Sequence, residues 1–268
     1  MKIGIFDSGL GGLIIAKSIV RAMPGYDYVY LGDTKRVPYG NRSHQAVFEF
    51  TREGVDYLFS KENCAIVILA CNTASARALR RIQKEYLPKN FPDRKVLGVL
   101  IPLAEEAVKY KKIGILATAG TVSSNTFPRE IKKIEKKCLV FQNPAPMLVP
   151  LAEEGEKVLA QEFIKKYLKP LISKKINTLA LGCTHYPFYK KEMRKLLPKN
   201  VKIISQDEIV PKKLKNYLVR HSEISKKLSK NKNIKILVTD HTQNMNFLTK
   251  KWFGKNIKPK VVNLNVKV

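Results

Sequence analysis

The sequence lacks the features that mark three large classes of protein. No apolar run reaches the roughly 18 residues that a membrane-spanning helix needs. Only four cysteines occur in 268 residues and none form a Cys-x-x-Cys pair, which excludes a disulfide scaffold, a zinc ribbon and a dithiol redox centre. The opening residues, MKIGIFDSGLGG, have no signal-peptide profile. We therefore expect a cytoplasmic protein with reduced thiols, no membrane contact and no metal centre.

Acidic residues are also scarce, since 22 Asp and Glu stand against 50 Lys and Arg and leave a net charge of +28. The imbalance grows toward the C-terminus, where Glu223 and Asp240 are the only acidic residues after position 210. A basic surface can bind nucleic acid through its phosphates. The lysines are spread in ones and twos through helical segments, which favours a solvated basic surface. Nucleic acid stays open as an alternative partner.

What the sequence does contain is a regular alternation of short apolar runs with longer amphipathic ones. The apolar runs predict strands at 2–6, 28–31, 65–70, 95–100, 112–117, 138–141, 178–181, 201–204 and 234–238. The helical periodicity between them is exemplified by the segments 43–60, 74–86, 157–172 and 243–253. Alternation of this kind indicates an α/β fold in which helices cover both faces of parallel sheets.

An internal repeat divides this pattern into two halves. The stretch KIGIFDSG at 2–9 returns as KIGILATA at 112–119, an offset of 110 (112 − 2). Cys71 and Cys183 each follow an apolar run and lie 112 residues apart (183 − 71). The agreeing offsets predict two pseudo-symmetric α/β domains, each built on a parallel sheet, with the active site in the cleft between them. The expected limits are 97–207 for the second domain, and 1–96 plus the returning segment 208–268 for the first.

The two repeated cysteines are candidates for acid–base chemistry. Parallel sheets bind ligands at the carboxyl ends of their strands, and both cysteines are expected there, each at the start of a helix. A helix N-terminus lowers the pKa of a thiol, so we expect both pKa values to lie below the ordinary one. A thiolate on one face of a carbon and a thiol on the other can invert a centre that bears a proton.

The competing interpretation for a cysteine at the end of an apolar run is plain burial. Cys64 and Cys138 fit that interpretation and receive no role. Cys71 and Cys183 are set apart by their matching offset and context. A metal site at Cys183 and His185 would lack a third ligand at usable spacing.

Motifs along essentially the whole chain resemble those of the glutamate racemases, within the cofactor-independent aspartate/glutamate racemase superfamily. They are GIFDSGLGG (4–12), YLGDTKRVPYG (30–40), ACNTASA (70–76), TAGTVSS (118–124), VPLAEEG (149–155) and LGCTHYP (181–187). The resemblance implies interconversion of L- and D-glutamate without pyridoxal phosphate or another cofactor. It further implies that the reaction supplies D-glutamate for peptidoglycan synthesis. The expected assembly is a homodimer.

Carried over residue by residue, the resemblance implies a site. Cys71 and Cys183 are the expected acid–base thiols, and Asp7 and His185 assist them. The expected substrate contacts are Asp7, Ser8, Pro38, Tyr39, Gly40, Asn72, Thr73, Thr118, Thr121, Thr184 and His185. Turn formation by Asp7 and helix capping by the two threonines of the cysteine motifs stay open as alternatives. Glu153 is expected to support His185 through a hydrogen bond.

Two functional alternatives also stay open. A racemase of another acidic amino acid would share the fold and both thiols. A second activity could use the basic surface to engage nucleic acid or DNA gyrase, since some relatives of the family are reported to inhibit that enzyme.

Overall fold

The computed structural model describes residues 1–254 and 257–264. Within these residues ten strands form two sheets, and every pair of neighbouring strands is parallel. The strands are β1 (Lys2–Asp7), β2 (Tyr28–Gly32), β3 (Cys64–Leu69), β4 (Lys95–Gly98), β5 (Lys112–Ala117), β6 (Leu139–Pro144), β7 (Thr178–Gly182), β8 (Lys202–Ser205), β9 (Ile234–Val238) and β10 (Lys260–Val261).

The two sheets repeat one topology. The first has the strand order β10-β9-β2-β1-β3-β4 and the second has the order β6-β5-β7-β8. The block β2-β1-β3-β4 therefore matches the second sheet strand for strand, with β1 equivalent to β5 and β3 equivalent to β7. This confirms the two pseudo-symmetric α/β halves expected from the internal repeat. Each of the nine predicted strands is present, whereas the two-residue β10 carries no apolar run long enough to signal it.

Helices connect the strands. The α-helices are α1 (Gly12–Ala22), α2 (His44–Ser60), α3 (Asn72–Arg77), α4 (Leu79–Arg81), α5 (Leu87–Asn90), α6 (Leu100–Ala107), α7 (Ala119–Ser123), α8 (Thr126–Ile134), α9 (Leu148–Glu154), α10 (Lys157–Ser173), α11 (Lys190–Leu196), α12 (Gln206–Arg220), α13 (Ser222–Ser225) and α14 (Met245–Phe253). Short 3-10 turns cover Thr34–Arg36, Tyr39–Asn41 and Tyr186–Tyr189. None of the described helices combines the length and the apolar character needed to cross a membrane.

The helix predicted over 74–86 is discontinuous. It starts two residues early as α3, because Cys71 caps its N-terminus, and it breaks at Ala78 before α4. A π-helical turn over Ile82–Tyr86 follows. The apolar spacing of this stretch reports its buried face but carries no signal for the break.

The core consists of four buried apolar clusters, one on each face of each sheet. Helices α1, α12 and α14 cover one face of the first sheet, and α2 and α3 cover the other. On the second sheet, one face is covered by α9, α10 and α11, and the other face is covered by α6 and α8. Strands β2, β3 and β7 are buried along their whole length, as expected for strands covered on both faces.

The C-terminal segment pairs with the first sheet, since β9 lies beside β2 and β10 lies beside β9. The predicted domain limits at 96/97 and 207/208 fall inside β4 and α12. Helix α12 contributes Val210, Leu214 and Leu218 to a cluster of the first sheet. The division into two domains at those limits stays a prediction.

Candidate active site

A cavity of about 410 Å³ lies where the carboxyl ends of β1 and β3 face those of β5 and β7. Helix α1 follows β1 onto one face of the first sheet, and α3 follows β3 onto the other. Helices α8 and α11 diverge in the same way on the second sheet. Diverging connections leave a crevice at the strand ends, which is where parallel sheets bind ligands. The repeated topology therefore provides two crevices that share one cavity.

Most of the residues singled out in the sequence line this cavity. Those from the first half follow β1, β2 and β3, and those from the second half follow β5 and β7. They are Ser8, Pro38, Tyr39, Gly40, Cys71, Asn72, Thr73, Thr118, Cys183, Thr184 and His185. Asp7 and Thr121 lie behind the wall and are 1% and 0% exposed.

Cys71 stands at the N-terminus of α3, as the sequence predicts. Its Sγ accepts hydrogen bonds from Ser8 Oγ at 3.3 Å and from the backbone N–H of Ala74 at 3.4 Å. Burial, followed by the negative charge of Asp7, nevertheless raises the pKa of the Cys71 thiol to about 12. The expectation of a lowered pKa is wrong for this residue, because desolvation outweighs the two hydrogen bonds at the helix start.

Asp7 ends β1 directly behind Cys71. Its Oδ2 accepts a hydrogen bond from the backbone N–H of Gly9 at 3.0 Å, as a turn aspartate does. Its Oδ1 is buried and has no partner among the described residues. Burial raises the pKa of this carboxyl, although the nearby His185 lowers it in part.

Cys183 follows β7 and has a different set of neighbours. The chain after it forms a 3-10 turn before α11 begins, rather than the direct helix start expected. Nδ1 of His185 lies 3.8 Å from Cys183 Sγ and 3.4 Å from Thr184 Oγ1. Nε2 of His185 lies 3.0 Å from Glu153 Oε1, the contact expected from the sequence.

His185 is held as a cation at neutral pH. Burial alone would lower its pKa, but hydrogen bonds and charge interactions with Cys183 and Glu153 raise it to about 10. The ring is closely surrounded, since a Cβ added at Gly11 would lie 2.4 Å from its Cε1 atom. The edge of Trp252 contacts the ring with centroids 5.3 Å apart. An imidazolium therefore stands beside one thiol of the cavity and not beside the other.

Three hydroxyl groups join the two halves at the cavity wall. Thr73 Oγ1 lies 2.9 Å from Thr118 Oγ1 and 3.4 Å from Thr121 Oγ1, and the latter two lie 3.0 Å apart. Thr118 also caps α7, since its Oγ1 accepts from the backbone N–H of Thr121 at 3.2 Å. Capping and a place in the cavity wall thus coexist at this residue.

The turn that carries Pro38, Tyr39 and Gly40 is anchored from behind. Tyr39 is 1% exposed, and its hydroxyl donates to Asp33 Oδ2 at 2.5 Å. Asp33 Oδ1 accepts from Thr239 Oγ1 at 2.9 Å. Tyr39 therefore lines the cavity while its hydroxyl is engaged with buried Asp33 and its ring packs against Phe6 and Phe50.

Sequence reasoning missed the apolar part of the wall. It consists of Val37, Pro146, Met147, Val149 and Pro150, the last four from the stretch that enters α9. Apolar side chains such as these carry no chemical signal of a site, so the fold is needed to place them in the cavity wall, although Val149 and Pro150 belong to the VPLAEEG motif. Among the residues that the structure describes, no Lys or Arg lines the cavity.

Two buried cysteines lie away from the cavity, and one cavity residue is tied to a distant helix. Cys64 is 0% exposed inside β3, and Cys138 is 4% exposed at the start of β6, as expected for structural cysteines. Asn72 accepts a hydrogen bond from Gln206 Nε2 at 2.6 Å, which ties the start of α3 to the start of α12. In the described part of the chain, no group of His, Cys, Asp and Glu side chains has the makings of a metal site.

These features define a two-sheet parallel α/β protein in which each half contributes one thiol to a shared cavity. The chain belongs to the Asp/Glu/hydantoin racemase family, whose sequence model matches residues 12–209. The family acts without pyridoxal phosphate.

Individual relatives agree with this placement. The chain is 40% identical over 247 residues to the glutamate racemase of Sulfurihydrogenibium sp., covering 90% of each chain. Its structure is similar to that of glutamate racemase isoform RacE1 from Bacillus anthracis, with a TM-score of 0.89, 32% identity and coverage of 99% and 98%. The glutamate racemase of Francisella tularensis, solved in complex with D-glutamate, also gives a TM-score of 0.89, at 29% identity and 98% coverage of each chain.

Proposed function

We propose that this protein is a glutamate racemase that interconverts L- and D-glutamate with Cys71 and Cys183 as its acid and base. The observation that carries the proposal is the pair of thiols on equivalent strands of two matching halves, both lining one cavity. The 40% identity to a glutamate racemase over 90% of the chain supports the choice of substrate.

In the proposed mechanism Cys183 acts beside the His185 imidazolium, whereas Cys71 acts beside Asp7. The His185 imidazolium stabilises a negative charge on the sulfur beside it, and Glu153 keeps the ring protonated. Cys71 keeps its proton at neutral pH because its pKa is about 12. The Cys183 thiolate then removes the α-proton of one enantiomer, and Cys71 delivers its proton to the opposite face. The reverse reaction exchanges the two roles.

The hydroxyl groups and the helix starts of the wall suit a dicarboxylate substrate. Thr73, Thr118 and the backbone N–H groups of α3 and α7 can donate to carboxylate oxygens. The proposed set of residues that bind substrate or act on the thiols is completed by Asp7, Ser8, Pro38, Tyr39, Gly40, Asn72, Thr121 and Thr184. These neutral donors bind a carboxylate through directed hydrogen bonds, so they discriminate among substrates by geometry.

Another acidic amino acid remains the alternative substrate. The aspartate racemase of Picrophilus torridus shares the fold at a TM-score of 0.56 and 19% identity. Rates with both enantiomers of glutamate and of aspartate, measured on the same preparation, separate the two substrates.

The proposed cellular role is the supply of D-glutamate for peptidoglycan, by a homodimer working in the cytoplasm. Sedimentation velocity measures the assembly directly. An additional binding activity of the basic surface toward nucleic acid or DNA gyrase is supported only by the net charge of +28. DNA affinity that falls steeply with salt and is unaffected by Cys71→Ser would support that activity.

The test of the function uses serine variants of all four cysteines. Cys71→Ser and Cys183→Ser should each lower the rate of glutamate racemisation by about 1,000-fold or more, because a hydroxyl is a poor base at neutral pH. Cys64→Ser and Cys138→Ser are the matched controls and should retain activity once the folded fraction is corrected for. Polarimetry of purified protein without added cofactor gives the rates. Loss of activity only in the control pair would refute the assignment.

A further inference from the structure

One arginine connects three parts of the cavity wall. Arg77 is the last residue of α3, and its Nε donates to the carbonyl oxygen of Gly120 at 3.0 Å. Its Nη2 donates to Ser123 Oγ at 2.8 Å, and its Nη1 donates to the carbonyl oxygen of Arg42. None of these three acceptors carries a charge. The planar guanidinium group is therefore used for its geometry, with donors aimed in three fixed directions.

Each partner of Arg77 belongs to an element that presents residues to the cavity. Helix α3 begins beside Cys71, in the first half of the molecule. Gly120 and Ser123 lie in α7, which Thr118 caps in the second half. Arg42 directly follows the turn Tyr39–Asn41, which lines the cavity.

The elements that Arg77 joins are in direct contact. A Cβ added at Gly120 would lie 2.7 Å from the carbonyl oxygen of Gly40 and 3.2 Å from Cζ of Arg77. The turn and α7 are therefore in contact at Gly40 and Gly120, and the guanidinium group of Arg77 packs against Gly120. Little room is left for one element to shift without disturbing the others.

We infer that Arg77 is a positioning residue for the proposed racemisation. It sets the placement of the Cys71 helix and of the Tyr39–Asn41 turn relative to Thr118 on the opposite half, and it touches neither thiol. A substrate held by both halves must lie within reach of both sulfur atoms, so a shift of one half against the other lowers the rate. The inference rests on the proposed function for its kinetic consequence.

Arg80 provides a matched control. It lies one helical turn further along and also bridges the two halves, through an ion pair of 3.1 Å with Glu130 of α8. Its side chain is 54% exposed, and neither partner lines the cavity. Removing this ion pair takes away an interaction between the halves without releasing a wall element.

The kinetic test compares Arg77→Met and Arg77→Lys with Arg80→Met. Arg77→Met should lower kcat/KM per folded molecule by about 100-fold for both glutamate enantiomers, with the larger part in kcat. Arg77→Lys should recover only a small part of this loss, because an ammonium group cannot reach three acceptors in a fixed fork. Arg80→Met should stay within about twofold of the wild type, because the Arg80 side chain is half exposed and Lys133 still pairs with the buried Glu130.

Hydrogen exchange gives a readout that needs no activity. Arg77→Met should speed amide exchange in residues 39–42 and 118–123, whereas Arg80→Met should leave these segments unchanged. Unchanged exchange together with wild-type kcat and KM would overturn the inference, whatever the melting temperature. If the wild type failed to racemise glutamate but the exchange pattern appeared, the proposed function would fall and the positioning role would stand. If Arg77→Met did not fold, Arg77→Lys would provide both readouts.

Discussion

Cys71 and Cys183 follow equivalent strands but have different charges beside them. Cys71 lies near the carboxyl group of Asp7, and burial together with that charge raises its pKa to about 12. Cys183 lies 3.8 Å from His185, whose own pKa is raised to about 10. The fold is nearly symmetric at the site, whereas the charged groups beside the two thiols differ.

This asymmetry predicts different alkylation of the two thiols. A thiol with a pKa of about 12 is protonated between pH 6 and 9, so the Cys71 thiolate and its reaction with iodoacetamide should rise about tenfold per pH unit. Cys183 should react faster than Cys71 at pH 7, because the His185 imidazolium lies 3.8 Å from its sulfur and favours negative charge there. Peptide mass spectrometry at four pH values gives both rates.

His185→Asn is the control for that experiment. It removes the cation while keeping a polar side chain, so the alkylation rate of Cys183 at pH 7 should fall towards that of Cys71. Equal rates at the two cysteines in the wild type, or no change in the variant, would contradict the asymmetry assigned to the two thiols.

At the residue scale the sequence located the thiols but not their surroundings. The offset of the two cysteines needs only counting, and motif resemblance supplied Asp7 and His185 as assistants. The raised pKa of Cys71 depends on burial from all sides, which no short motif reports. Arg77 escaped notice because two of its acceptors are backbone carbonyl groups, distant in sequence and indistinguishable in type from any others.

At the scale of elements, the turn that bears Tyr39 is attached to the C-terminal segment. Asp33 is 0% exposed and accepts from Tyr39 Oη and from Thr239 Oγ1, which follows β9. Thr239 Oγ1 in turn accepts from the backbone N–H of Lys35 at 2.9 Å. A segment more than 200 residues away thus holds the wall of the cavity in place.

Thr239→Val tests this attachment. It removes a donor from a buried carboxylate and an acceptor from a backbone N–H, so we expect the free energy of unfolding to fall by about 1–3 kcal/mol. KM for glutamate should rise as the turn loosens. Urea unfolding and steady-state kinetics measure the two effects.

Thr249→Val is the matched control, from α14 of the same segment. Thr249 is 0% exposed, and its Oγ1 has no hydrogen-bond partner within the described ranges. Replacing that hydroxyl by a methyl group should be neutral or stabilising. Equal destabilisation by the two substitutions would show that the hydrogen bond of Thr239 to Asp33 contributes no more to the free energy of unfolding than the unpaired hydroxyl of Thr249 does.

The predictions of secondary structure are confirmed where burial alone determines the pattern of apolar residues. Runs such as AIVILA over 65–70 are buried on both faces of a sheet, so their composition is sufficient to predict them. The prediction of a single helix over 74–86 is wrong, because the break at Ala78 leaves the spacing of apolar residues intact. The two-residue β10 depends on pairing with β9, a tertiary contact that local sequence does not encode.

At the scale of the whole molecule, two similar halves bring two similar groups to one cavity. The order β2-β1-β3-β4 and its copy β6-β5-β7-β8 place Cys71 and Cys183 after equivalent strands. Racemisation requires two groups of the same kind, because the base for one enantiomer must serve as the acid for the other. The internal repeat made this arrangement predictable, whereas the contacts that close the two halves on each other needed the structure.

The most direct test of the central claim is the fate of the α-hydrogen in the first turnovers. Purified wild-type protein is mixed with L-glutamate in D₂O, and separately with D-glutamate, and each reaction is stopped early. The two enantiomers are then separated and their deuterium content is measured. Two thiols on opposite faces predict deuterium in the newly formed enantiomer and protium in the unconverted substrate, from either direction. Deuterium in both enantiomers at early times would indicate a single base, and no conversion at all would contradict the proposed function itself.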